Sequence, residues 1–258
     1  MTRPDLTDDA FLGGRLRLLQ PAKGFRSGLD AMLLAAAAPI PEAHPCRVLD
    51  AGAGVGAVGL AIAIRRPSAH VTLVEIDPEL AGLARCNARR NGLADRACVV
   101  AADISAGGRA LHDPARPTGL APAMFDHIVT NPPYFAIGTG TPPSSHGKAG
   151  AHQMAEGSLD KWVAFLATAA SADATLTMIH RADALGDVLR SLEGRFGRLR
   201  ILPIQPRIDT SANRVLVSAV KGSRAPLEIR PSLVIHDADG TIRPAIDAIL
   251  RHGTDLEI

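Results

Sequence analysis

An α/β sheet wound with helices on both faces is the fold class that three observations in this 258-residue sequence predict. Short aliphatic runs of strand length alternate with Ala- and Leu-rich runs of helical length, the order that builds a parallel sheet. The strand runs are almost continuously apolar, which suits strands covered on both faces. Glycines or carboxylates follow the ends of these runs, and the carboxyl ends of strands are where open α/β sheets bind ligands. Hydrophobic residues make up 47% of the chain, enough for a two-sided core.

The elements follow in order. Residues 1–40 form an amino-terminal extension with a strand and a helix, the alanine run Ala35 to Ala38 favouring the helix. Residues 41–220 carry the sheet, and 221–258 form a carboxy-terminal extension of the same single domain, residues 1–258. Arg47-Val48-Leu49-Asp50-Ala51 is the first core strand, Gly52-Ala53-Gly54-Val55-Gly56 a glycine loop, and Val58 to Arg66 a helix ended by Pro67. His70 to Glu75 is the second strand; Asp77 and Pro78 then read as the cap and first turn of a helix running to Asn91. Ala97 to Ala102 and Phe125 to Thr130 are further strands, and Asn213 to Val220 alternates well enough to be the last strand, antiparallel to the rest. Leu227 to Gly240 reads as a hairpin or strand pair, followed by a helix from Pro244 to Arg251. Trp162 stands with Leu159, Phe165 and Leu166 at helical spacing, so it reads as core rather than ligand. Thr139 to Gly157 is rich in Gly, Pro, Ser and His without apolar period, and reads as a mobile substrate loop.

The strand ends carry the chemistry. Strand, glycine loop and helix form a nucleotide-binding turn, where missing Cβ atoms let a ligand approach the backbone of Gly52, Gly54 and Gly56. Gly52, Gly54 and Ala57 also satisfy the dinucleotide pattern, so a nicotinamide or flavin enzyme stays open. Asp50 leans toward a cationic cofactor, since S-adenosylmethionine carries an ammonium and a sulfonium and no phosphate; the alternative is an aspartate that caps the turn. Glu75 falls a little over 20 residues after Gly52, where a carboxylate accepts from both ribose hydroxyls. Asp103 is placed to take the exocyclic amine of an adenine, with the Ile104 N–H meeting a ring nitrogen.

Asn131-Pro132-Pro133-Tyr134 follows the Phe125 to Thr130 strand. A planar amine is a poor nucleophile because its lone pair is delocalised. The Asn131 amide oxygen and the Pro132 carbonyl can each accept one of its N–H bonds, the prolines stiffen the backbone, and Tyr134 offers a face for stacking. That combination suits methyl transfer to such an amine.

From Val48 to Leu176 these motifs resemble the class I S-adenosylmethionine-dependent methyltransferases, of the branch whose fourth motif is NPPY. The resemblance implies a Rossmann-like, seven-stranded sheet, mostly parallel with an antiparallel last strand. The stretches Phe11 to Leu16, Gln20 to Asp30 and Pro203-Ile204-Gln205-Pro206-Arg207 resemble the bacterial tRNA1(Val) adenine-N6 methyltransferase family. That resemblance implies a tRNA substrate, methylated at the adenine just 3′ of the anticodon and turned out of its stack to react. The resemblance to the wider NPPY branch implies that Phe25, Ser27 and Asp30 lie over the methionine part of the cofactor. Two rivals stay open: a protein glutamine-amide N-methyltransferase with the same chemistry at Asn131, and a nucleotide-binding oxidoreductase or non-catalytic cofactor-binding module, for which NPPY has no role.

Composition narrows the classes further. Cys46, Cys86 and Cys98 show no paired spacing, and nine histidines form no helical HxxxH pair, which points to reduced thiols and no metal. Met1 to Ala10 is polar and acidic, unlike a signal peptide, and the longest apolar stretch, Ala31 to Ile40, is too short to span a bilayer. A cytoplasmic enzyme without a membrane partner is therefore expected. Net charge is only +2, but Gly194 to Arg230 holds eight basic residues against Asp209 and Glu228. Arg15, Arg17, Lys23 and Arg26 make a second cluster. Converging on the Asn131 edge, they would form a phosphate-binding surface; otherwise they are an ordinary solvated face. Arg207, Arg214 and Arg224 flank turns and are the expected RNA contacts.

Overall fold

Among the described residues (5–24, 26–111, 120–133 and 158–258), the computed structural model arranges nine strands in one sheet and two in a separate hairpin. The hairpin is β1 (Leu6–Phe11) and β2 (Leu16–Pro21), joined through Leu12–Gly14. The sequence predicts one strand here. Leu12, Gly13 and Gly14 all take positive φ, which closes the chain into a second strand that the acidic start conceals. Helix α1 (Leu29–Ala37) follows.

The sheet then builds as expected. Strands β3 (Cys46–Ala51), β4 (Ala69–Glu75), β5 (Ala97–Ala101), β6 (Phe125–Thr130) and β7 (Ala170–Arg181) are parallel. Helices α2 (Ala57–Arg65), α3 (Pro78–Arg90), α4 (Ser158–Ala169) and α5 (Leu185–Leu192) connect and cover them. Strand β9 (Arg214–Lys221) lies antiparallel between β7 and β8 (Phe196–Arg207). The order β8-β9-β7-β6-β3-β4-β5 is the expected seven-stranded sheet with its antiparallel last strand.

Two short strands extend it. Both β10 (Glu228–Ile229) and β11 (Leu233–His236) pair with β8 in parallel, and helix α6 (Pro244–His252) closes the described elements. The hairpin reading of Leu227 to Gly240 is therefore corrected. The segment runs straight along β8 and is interrupted where Pro231 has no N–H to give the ladder.

Each face has its own core. Helices α1, α2, α3 and α6 pack on one, around Val48, Val71, Leu73 and Val129. Helices α4 and α5 pack on the other, around Leu49, Ala51, Val74 and Ile128. Adjacent residues of a central strand face opposite layers, which explains why the strand sequences read as unbroken apolar runs. Phe25, Tyr134 and the 139–157 loop lie outside the described residues.

Candidate active site

The carboxyl ends of β3, β4 and β6 meet at the centre of the sheet, because β3 pairs with β4 on one side and β6 on the other. Ala51 is the last residue of β3, and the glycine loop turns away immediately after it. The Gly52 and Ala53 N–H groups both donate to the Val74 carbonyl at 2.9 Å, folding the loop over the end of β4. Gly52 has φ +74°, and a Cβ there would sit 2.9 Å from Trp162 Cη2. Only glycine meets both conditions.

Asp50 and Glu75 fasten this loop from below. Asp50 is 1% exposed, and its Oδ2 accepts from the Gly59 N–H at 2.8 Å in the first turn of α2. This is the capping role left open by the sequence. Burial pushes the Asp50 carboxyl up to about 7; the Gly59 N–H opposes the rise and the charge of Glu75 adds to it. Glu75 Oε2 accepts from the Gly54 N–H at 2.8 Å and Oε1 from the Asp77 N–H at 2.9 Å. Asp77 caps α3 through the N–H groups of Glu79 and Leu80.

Ile76 is 61% exposed between Glu75 and Asp77, an apolar surface offered to solvent at the ligand edge. At the end of β5, Asp103 is exposed and accepts from Ser105 N and Oγ, while Ile104 is buried. Asn131 leaves β6 half-buried, and Pro132 is buried behind it.

The amino-terminal segment reaches the same edge. Ser27 is tied to β2 by the side-chain amide of buried Gln20, which accepts from Ser27 N at 2.8 Å and donates to Ser27 O at 3.3 Å. Asp30, at the start of α1, accepts from Arg214 Nε at 3.0 Å, so an expected cofactor residue and an expected RNA residue are partners. Arg207, at the carboxyl end of β8, lies on this edge too.

Arg224 does not. Strand β9 runs antiparallel, pairing Arg214 with the end of β7 but Lys221 with Phe196 at the start of β8. Residues after β9 therefore emerge at the opposite edge, where Ala225 O accepts from Arg198 N. The same geometry removes Arg195 and Lys221 from the Asn131 edge. The expected convergence of the whole basic run is corrected to Arg207 and Arg214.

Three residues had escaped notice in the sequence: Ile76, Thr130 and Asn87. Asn87 is fully buried on α3; its Nδ2 donates to the carbonyls of Leu19 and Val55, and its Oδ1 accepts from Leu19 N. It pins the glycine loop to β2. The available signal was an asparagine on the apolar stripe that carries Ala84 and Ala88.

No metal-binding group of His, Cys, Asp or Glu occurs among the described residues. The donor set fits S-adenosylmethionine better than a dinucleotide. A pyrophosphate would need the free N–H groups at the start of α2, where Gly59 is already taken by Asp50, and would meet the charge of Glu75 beside the loop. A sulfonium and an ammonium would not be repelled.

Comparison with known proteins agrees. The methyltransferase small domain family model matches residues 29–143. The chain is 30% identical over 245 residues to the tRNA1(Val) (adenine(37)-N6)-methyltransferase of Porphyromonas gingivalis, covering 92% of this chain and 91% of that one. It is 33% identical over 109 residues to the release factor glutamine methyltransferase of Escherichia coli, covering 42% and 34%. Among solved structures, the Atu636 protein of Agrobacterium tumefaciens, described as a predicted O-methyltransferase, is 29% identical. It superposes with a TM-score of 0.73 over 89% of this chain and 99% of that one.

Proposed function

Because the chain belongs to the tRNA1(Val) (adenine(37)-N6)-methyltransferase family, we propose that it methylates the exocyclic amine of an adenine beside the anticodon of a tRNA. S-adenosylmethionine is its cofactor, and when bound supplies the sulfonium methyl group that is transferred. The observation that carries the reading is the meeting of the glycine loop, Glu75 and Asn131 at one set of strand ends.

Each residue then has a task. Glu75 accepts from the ribose hydroxyls with lone pairs that Gly54 and Asp77 leave available. Ile76 lies under the adenine, Asp103 accepts from its amine, and the Ile104 N–H meets a ring nitrogen. Gly54, where a Cβ would meet nothing within 4 Å, admits the cofactor close to the backbone, while Gly52 and Gly56 supply the left-handed turns of the loop with their Cβ positions facing Trp162, Leu60 and Leu73. Ser27, Asp30 and Phe25 cover its methionine end. Asn131 and the Pro132 carbonyl accept the two N–H bonds of the substrate amine, and Tyr134 stacks on its ring. The amine becomes acidic only once the new C–N bond has formed, so its proton then leaves without a strong base. Alignment and exclusion of water supply most of the rate. Arg207 and Arg214 hold phosphates of the tRNA at the same edge. Such a substrate places the enzyme in the cytoplasm.

The test is transfer of label from S-adenosylmethionine to total tRNA and to a release factor, run side by side. Label in tRNA, at the N6 of adenine, is expected. Label in the protein fraction alone would overturn the tRNA assignment in favour of glutamine methylation.

A further inference from the structure

The last ladder pair between β3 and β6 is Ala51 with Thr130; beyond it the chains diverge into the glycine loop and into Asn131. A hydrogen-bonded chain clamps this point. Thr130 Oγ1 donates to the Ala51 carbonyl at 2.8 Å and accepts from Trp162 Nε1 at 3.1 Å. Thr130 is fully buried and Trp162 is 6% exposed. The far end of the same indole lies against Gly52, where a Cβ would be 2.9 Å from Cη2 and 3.0 Å from Cζ2. One side chain thus braces the first residue of the loop and, through Thr130, the residue before Asn131.

Chemistry supports more than packing. A central parallel strand accommodates valine at least as well as threonine, so a hydroxyl in this dry position serves its two hydrogen bonds. A buried indole N–H needs an acceptor, and Thr130 provides it. Helix α4, strand β6 and the end of β3 are held in one geometry by three atoms.

We propose that Trp162 and Thr130 are positioning residues that fix the glycine loop and Asn131 relative to each other, aligning the methyl group with the amine. The proposal rests on Asn131 as the residue that holds that amine. Methyl transfer in line is sensitive to a misplacement of about 1 Å, so fixing the two strand ends relative to each other bears on its rate.

Two variants separate the roles of the hydroxyl and the methyl. Thr130→Val keeps the shape and loses the hydroxyl; Thr130→Ser does the reverse. The Ser variant is expected to retain kcat within about threefold of wild type. The Val variant is expected to lose at least about tenfold in kcat while its Kd for S-adenosylhomocysteine stays within about threefold. Packing alone would give the opposite order, with Val active and Ser impaired, and that order overturns the proposal. Should Thr130→Val fail to fold, Trp162→Phe, which keeps an aromatic ring without the N–H, carries the same kcat comparison.

Trp162 is the single tryptophan, so its emission reports this contact without background. Saturation with S-adenosylhomocysteine should shift that emission in wild type. Saturation seen by calorimetry with unmoved emission would remove Trp162 from the loop. If wild type methylates neither tRNA nor release factor, the reading of the substrate fails and the alignment role fails with it, while the emission response still tests the contact of Trp162 with the loop.

Discussion

Glu75 has both carboxylate oxygens on backbone N–H groups at the end of β4, Gly54 on one and Asp77 on the other. Replacing it by alanine unties the loop and, on the proposed reading, also removes the ribose acceptor. Glu75→Ala should weaken S-adenosylmethionine binding by roughly 1.5–3 kcal/mol, the worth of hydrogen bonds to a charged group. Calorimetry on the folded variant checks this, and unchanged affinity would take Glu75 out of the site. Asp50 gives a pH signature. Its folded pKa of about 7 lies above the ordinary 3.8, so the native state holds the proton more tightly than the unfolded chain. Its contribution to stability is full below pH 3.8 and is lost as pH rises through about 7. Asp50→Asn keeps an oxygen for the Gly59 N–H without the charge. Wild type should therefore fall in stability relative to this variant between about pH 4 and 8, by on the order of 4 kcal/mol in total. Denaturant melts at several pH values test it; parallel curves would mean that Asp50 is ionised throughout.

The elements divide cleanly by the range of the interactions that make them. Asp77, Pro78 and the strand ending at Glu75 were legible because capping and aliphatic runs are local rules, and each is where those rules put it. Thr130 and Asn87 were not, because their partners are distant: Trp162 is 32 residues from Thr130, and Leu19 is 68 from Asn87. The β1–β2 hairpin escaped for a related reason. Its first strand, Leu6–Phe11, is half polar and gains its place from contacts such as Asp9 with Gln20 and Arg26. Helix α2 carries the sharpest test at this scale. A Cβ on Gly59 would lie 2.3 Å from Leu73 Cδ2 and 2.8 Å from Val71 Cγ1, so the helix sits against β4 at a distance that only glycine allows. Gly59→Ala should destabilise the fold by about 1–3 kcal/mol despite the better helix propensity of alanine. A thermal melt at or above the wild-type midpoint would contradict it.

For the whole molecule, strand direction sorts the charge that composition leaves undivided. Arg207 and Arg214 stand at the carboxyl edge, three and two strand spacings from β6, or about 14 and 10 Å across the sheet. Arg224 stands at the opposite edge. No reading of a linear basic run could separate them without the antiparallel course of β9. Among the described residues no helix is long and apolar enough to cross a membrane. Replacing Arg207 and Arg214 by alanine should flatten the log–log salt dependence of tRNA binding by about 1.4–1.8, from ~0.7 per single-strand or ~0.9 per duplex contact. Arg224→Ala should leave the slope unchanged, and an equal effect from Arg224 would contradict the sorting. The central claim, that the Asn131 edge methylates an adenine amine of tRNA, is tested most directly by nucleoside mass spectrometry of tRNA from a deletion strain. Complementation with wild type should restore N6-methyladenosine in the substrate tRNA, and Asn131→Ala, which should still bind the cofactor, should not. Undiminished N6-methyladenosine in the deletion strain, or full restoration by Asn131→Ala, would contradict it.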